Sequence, residues 1–227
     1  MKRVISLLII IASLLSLVGC QQEAVAGEEL IAAVRDAYVA LNSARVDIIN
    51  DDSGESEQIF IFKYDEKDMM TYSYIGKNED TYIAQFNNGY EQFTEENGKV
   101  TVAENKDAEF AAYSREIPYP MADKGLILFY KTAVIAEESY VASNEMATEV
   151  VHVYDIAKLA DANAPSDMTA FTVKYYFDAE GKLLYFKEIT VIGDKTHSYT
   201  IYITEQNAVD KVANPVDISA PNDNKLS

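Results

Sequence analysis

The chain has 227 residues, with 37 acidic side chains against 19 lysines and arginines and a formal net charge of −18. A surface this negative excludes a nucleic-acid backbone as partner, which needs a basic footprint, and keeps the body from lying flat on anionic lipid. Sixteen tyrosines and nine phenylalanines with no tryptophan favour strands, and a single cysteine excludes an intramolecular disulfide.

The chain opens Met1-Lys2-Arg3, continues as an apolar run from Val4 to Val18 and reaches Leu17-Val18-Gly19-Cys20. A positive start, an apolar stretch and small residues before a cut site are the parts of an export signal, and the run is shorter than the roughly 20 residues a spanning helix needs. The tetrapeptide resembles the lipobox of bacterial lipoproteins. That resemblance implies a signal over residues 1–19, acylation of Cys20 and attachment through it to the outer face of the cell membrane, or to an envelope membrane facing the periplasm. Residues 20–27 then read as a lipidated tether, 28–212 as one domain and 213–227 as a polar C-terminal tail.

From Glu28 to Ala44, Leu30, Val34, Ala37, Tyr38 and Leu41 recur at helical spacing, which predicts an amphipathic helix. The period then changes to two. Arg45–Ile49, Gln58–Tyr64 and Met69–Ile75 read as strands, followed by hairpins at Asn87-Asn88-Gly89 and Asn97-Gly98, where Asn-Gly supplies the positive φ of a tight turn. Asp107–Arg115 reads as a short helix ended by Ile117-Pro118-Tyr119-Pro120, and Asp123–Glu138 as a second main helix, apolar around much of its circumference. Strands return at Glu149–Ile156, Thr169–Phe177, Lys182–Ile192 and His197–Thr204, with Gly181 expected left-handed in the turn of the strongest hairpin.

Catalytic signatures are absent: there is no G-x-S-x-G, P-loop, H-E-x-x-H or EF-hand loop. His152 and His197, the only histidines, each sit inside a predicted strand and carry no recognisable metal-ligand spacing. No cofactor, no metal and no catalytic residue is expected. The aromatic strand faces are the remaining signal: Met70, Tyr72 and Tyr74 on one, Phe171, Val173, Tyr175 and Phe177 on another, and Leu183, Tyr185, Ile189 and Val191 on a third. Either two helices fill the space over them, or an apolar cavity is left.

The order of elements resembles the LolA/LppX–LprG superfamily, whose members are carriers with a curved antiparallel half-barrel closed by helices over a hydrophobic cavity. TVKYYFDAEGKLLYFKEITV and FNNGYEQFTEENGK are similar to its recurring hairpins. The expected fold is therefore α+β, one curved antiparallel half-barrel of about eight to ten strands packed against two main helices. The expected function is non-catalytic binding or shuttling of a lipid-like ligand, with Met70, Tyr72, Phe129, Tyr175 and Tyr185 lining its site. The alternative is a surface or sensor module that contacts a protein partner, unidentified by sequence, through a Tyr-rich sheet face. An extracytoplasmic hydrolase ranks last, since it needs converging acids or a His–acid pair in a cleft.

Overall fold

The computed structural model describes residues 27–77, 80–108, 110–116, 135–143, 147–159 and 167–216. A helix, α1, runs over residues 27–39. It stops short of the predicted Ala44: the Leu41 amide bonds to the Tyr38 carbonyl, the Asn42 amide is taken by the Asn207 side chain, and Ser43 already begins a strand. Eleven strands follow: β1 (Ser43–Asn50), β2 (Ser56–Tyr64), β3 (Met70–Lys77), β4 (Tyr82–Asn87), β5 (Glu91–Glu96), β6 (Lys99–Glu104), β7 (Ile135–Ser143), β8 (Ala147–Tyr154), β9 (Met168–Asp178), β10 (Leu183–Ile192) and β11 (Lys195–Thr204). One turn of helix, α2 (Ile156–Leu159), follows β8.

All eleven strands form a single sheet in the order β6-β5-β4-β3-β2-β1-β11-β10-β9-β8-β7. It consists of two antiparallel meanders, β1–β6 and β7–β11. They are joined where β1 pairs antiparallel with β11, from Arg45 opposite Thr204 to Asn50 opposite Tyr199. The tight turns follow their residues. Asn97 (φ 49°) and Gly98 (φ 84°) link β5 to β6, and Gly181 (φ 79°) closes β9 to β10, where the Asp178 carboxylate accepts the Glu180 and Lys182 amides.

This architecture corrects the reading of a sheet packed against two main helices. The described fold is mostly one large antiparallel sheet, and Ile135–Glu138, assigned above to the end of a second main helix, open strand β7; residues 123–134 lie outside the described chain. An apolar run cannot be sorted into helix or strand by period alone, and here pairing with β8 decides it. Of the short helix expected at 107–115, the described residues 107–108 and 110–115 form a turn and a non-helical segment instead. Its backbone is used elsewhere: the Ala111 carbonyl accepts the Asn87 side chain, the Tyr113 carbonyl accepts the Met70 amide, and Ser114 bridges to Met69.

Residues opposite one another in a ladder share a face, so the register sorts the side chains. Ala44, Val46, Phe60, Phe62, Tyr72, Val150, Val173, Tyr175, Phe186 and Ile201 fall on one face and are buried with Ile31, Tyr38 and Leu41 as a single core. Helix α1 lies on this face. A Cβ on Gly27 would meet Val141 Cγ2 at 2.6 Å and Val150 at 3.3 Å, while Tyr38 packs its ring 6.1 Å from Phe62, so α1 crosses from β7–β8 to β2. The opposite face is crossed by the segment after β11. Asn207 bonds to the Ser43 carbonyl, Lys63 donates to the carbonyls of Val209 and Asp210, and Val209, Val212 and Val216 are buried.

Candidate ligand-binding face

Strand alternation and the Ile31–Tyr38 stripe of α1 build the helix-covered face. It holds three of the residues singled out from sequence: Met70, Tyr72 and Tyr175, exposed by 1%, 1% and 0%. Tyr72 packs against Phe60 and Tyr113, each 5.8 Å between centroids, and Tyr175 against Phe186 at 5.8 Å and His152 at 5.4 Å. Tyr185 lies on the opposite face, stacked on Tyr176 at 4.6 Å and 5.6 Å from Tyr202. A bulge explains the separation: Leu183 pairs with Phe177 but Tyr185 with Tyr176, so two residues of equal parity point to different sides. Phe129 and Cys20 lie outside the described residues.

Burial on the helix-covered face is uneven. Ile48, Tyr74 and Tyr199 pack against the core but stay partly exposed. The Tyr74 hydroxyl donates to Gln58 Oε1 at 3.4 Å, and burial raises its pKa. Burial, then the charge and hydrogen bond of Glu57, raises that of Tyr199. Gly76 lets the Tyr74 side chain lie close, since a Cβ there would meet its hydroxyl oxygen.

Polar groups also sit within this face. His152 is 2% exposed, its Nδ1 lies 3.5 Å from the Tyr154 hydroxyl, and its Nε2 has no hydrogen-bond partner among the described residues. Desolvation, with the positive charge of Arg35, pushes its pKa down to about 4, so the ring is neutral at pH 7. The buried Tyr38 hydroxyl is likewise unpartnered among the described residues, and its pKa is raised, chiefly by desolvation. Desolvation holds Tyr175 well above the usual phenol value, reinforced by Tyr154 and Glu188. That His152 lies inside a strand was legible in the sequence; what it faced there was not.

On the opposite face Asp51, in the β1–β2 turn, accepts from Lys187 Nζ at 2.9 Å, Ser198 Oγ at 2.6 Å and the Thr200 hydroxyl. Burial works against its charged form, and these three hydrogen bonds and the Lys187 charge outweigh it, holding the carboxyl below its ordinary pKa. A shallow pocket of 330 Å³ lies beside Lys63, Tyr64, Thr71, Phe86, Lys211 and Val212. Sequence reading gave no sign of it, because it exists only where the chain folds back over β2. Among the described residues no three His, Cys, Asp or Glu side chains gather as a metal site, and no helix is long and apolar enough to cross a membrane.

No family model matches this chain, and no curated protein matches it by sequence. Among solved structures, the crystal structure of LprF from Mycobacterium bovis is similar, with a TM-score of 0.50 and 13% sequence identity over 84% of this chain and 97% of LprF. At that identity the shared property is the fold alone.

Proposed function

We propose that the protein is a non-catalytic lipoprotein, exported and held at the membrane by acylated Cys20, that binds or carries a lipid-like ligand on the helix-covered face of its sheet. The observation that carries this reading is the fold shared with nearly the whole of LprF, which agrees with the sequence's own resemblance to the lipid-carrier superfamily. Burial shifts the expected contacts. Met70, Tyr72 and Tyr175 have no surface left to offer, so the ligand meets the partly exposed Ile48, Tyr74 and Tyr199. Apolar area removed from water there supplies affinity at about 25 cal/mol per Å².

The reading is tested by native mass spectrometry of the exported protein purified without detergent. A bound mass of lipid size, extractable into organic solvent and lowered in a Tyr74→Asp, Tyr199→Asp double variant, supports it. A clean unliganded mass that takes up neither oleate nor phospholipid refutes it and turns attention to the row of Tyr176, Tyr185 and Tyr202 on the opposite face as a protein-contact surface.

A further inference from the structure

We propose that the 330 Å³ pocket between β2–β4 and the segment after β11 binds a small zwitterion with an apolar side group, the class to which the apolar α-amino acids belong. It lies on the face of the sheet away from the proposed lipid site, and neither needs the other. The register builds its floor. Lys63 stands opposite Thr71 in the β2–β3 ladder, and Phe86 of β4, opposite Ser73, falls on the same side of the sheet. The facing wall is Asp210, Lys211 and Val212. Lys63 pins this wall by donating to the carbonyls of Val209 and Asp210 at 3.0 and 2.7 Å, and Ser43 holds the Asn207 and Val209 amides. With Val209 and Val212 buried, the wall stands in place before any ligand arrives.

Each wall brings one positive and one negative side chain: Lys63 and Asp65 from the end of β2, Lys211 and Asp210 from the segment facing it. Acidic side chains outnumber lysines and arginines 37 to 19 in this chain. Yet among the described residues neither Lys63 nor Lys211 has a carboxylate within ion-pair distance. The half-buried Lys63 gives two of its three protons to neutral carbonyls, which leaves one donor and a positive charge without a counter-ion. Asp65 uses Oδ1 to accept the amides of Lys67 and Met69, and its Oδ2 is left over. Between these charges the lining is apolar: Phe86, backed by Phe93 at 6.3 Å between centroids, and Val212.

That combination selects by exclusion. A bare anion is opposed by two carboxylates and by a net charge of −18, and a bare cation meets two ammonium groups. An uncharged apolar molecule leaves the Lys63 charge unanswered. A zwitterion has no net charge for the field of the chain to repel. Its carboxylate pairs with the lysines and its ammonium with the aspartates, while its side group covers Phe86. A volume of 330 Å³ is at the lower end for small-molecule sites and suits one such molecule rather than a two-chain lipid.

Isothermal titration of the full-length protein in phosphatidylcholine nanodiscs, with empty nanodiscs as the blank, tests the assignment. The probes are L-phenylalanine, 3-phenylpropionate without the ammonium, phenethylamine without the carboxylate, and glycine without the side group. Phenylalanine should bind at least about fivefold tighter than each of the others. Lys211→Gln and Asp210→Asn alter exposed side chains that hold no other element in place, so the fold is kept. Lys211→Gln should narrow the gap to phenethylamine, and Asp210→Asn the gap to 3-phenylpropionate, because each removes a charge that the missing group would have met. Phe86→Ala should narrow the gap to glycine.

Analogues that bind as tightly as phenylalanine overturn the zwitterion assignment. Gaps that stay the same in all three variants overturn the site, and no detectable binding of phenylalanine in the millimolar range overturns both. Lipid uptake should be equal in wild type, Lys211→Gln and Asp210→Asn, so none of these results bears on the carrier reading.

Discussion

Acidification tests the burial of His152 directly. The ring has an ordinary pKa of 6.5 and about 4 in the folded protein, with desolvation as the main cause. Because the folded value is the lower one, the unfolded chain binds the proton more readily, and folding stability falls as pH drops through the interval from 6.5 toward 4. A full shift of this size corresponds to about 3 kcal/mol, and at pH 5 roughly 2 kcal/mol of it would be lost relative to pH 7.5. Screening by the polar groups around the ring trims this to about 1–2 kcal/mol. Among the described residues, the charged and titratable groups that act on it are Arg35 from α1, Tyr154 on its own strand, and Tyr175 on β9, which Glu188 on β10 influences in turn.

Urea unfolding of wild type and His152→Gln at pH 7.5 and pH 5 isolates the term, since the many surface carboxylates contribute equally to both proteins. Wild type should lose about 1–2 kcal/mol more than the variant between the two pH values. An identical pH dependence for the two proteins would refute the account of a buried neutral imidazole.

Other expectations follow from particular contacts. Asp51→Ala removes an acceptor for Lys187, Ser198 and Thr200, and should cost about 1–3 kcal/mol in a denaturant titration. In wild type the contribution of this carboxylate should persist at neutral pH and fade only as pH falls toward its lowered pKa. Arg115→Ala removes bonds to Asp68, to the carbonyls of Val39 and Leu41, and to the Asn42 side chain, together with a guanidinium 4.3 Å over the Tyr64 ring. It should speed proteolysis near the end of α1 and lower stability by about 1–3 kcal/mol; Lys, without the planar fork, should not restore it. Gly76→Ala places a methyl against the Tyr74 hydroxyl and 3.2 Å from Ile83 Cγ2. Since a side-chain end can give way, the thermal midpoint should drop only slightly, while lipid uptake falls because Tyr74 moves.

Much of the sheet was legible because its turns are written in residues with one conformational meaning. Asn97-Gly98 and Asp178-Ala179-Glu180-Gly181 close the hairpins they predict. Helix α1 was legible too, from the spacing of Leu30, Val34, Tyr38 and their neighbours. Two things were not. Ile135–Glu138 is apolar then acidic with no clear period, so only its pairing with β8 identifies it as strand. The sides of strands relative to each other depend on register, and the bulge between Leu183 and Tyr185 defeated parity, sending Tyr185 away from the face it was expected to line. The candidate site was legible as an apolar face; its buried imidazole and its division into filled and open halves were properties of packing.

The junction of β1 with β11 also governs how this sheet can assemble. Every other ladder joins strands that are neighbours in the chain, whereas Thr204 reaches Arg45 across 159 positions. Each meander has local contacts to nucleate on, and the closure between them carries the main entropic delay. Linking the segment that follows β11 to the start of α1 and reopening the chain between β6 and β7 would give a permutant whose strands run from β7 through β11 to β1 and on to β6 in the order in which they lie side by side. Such a permutant would keep the same ladders with lower contact order, and it should fold faster than the natural connection.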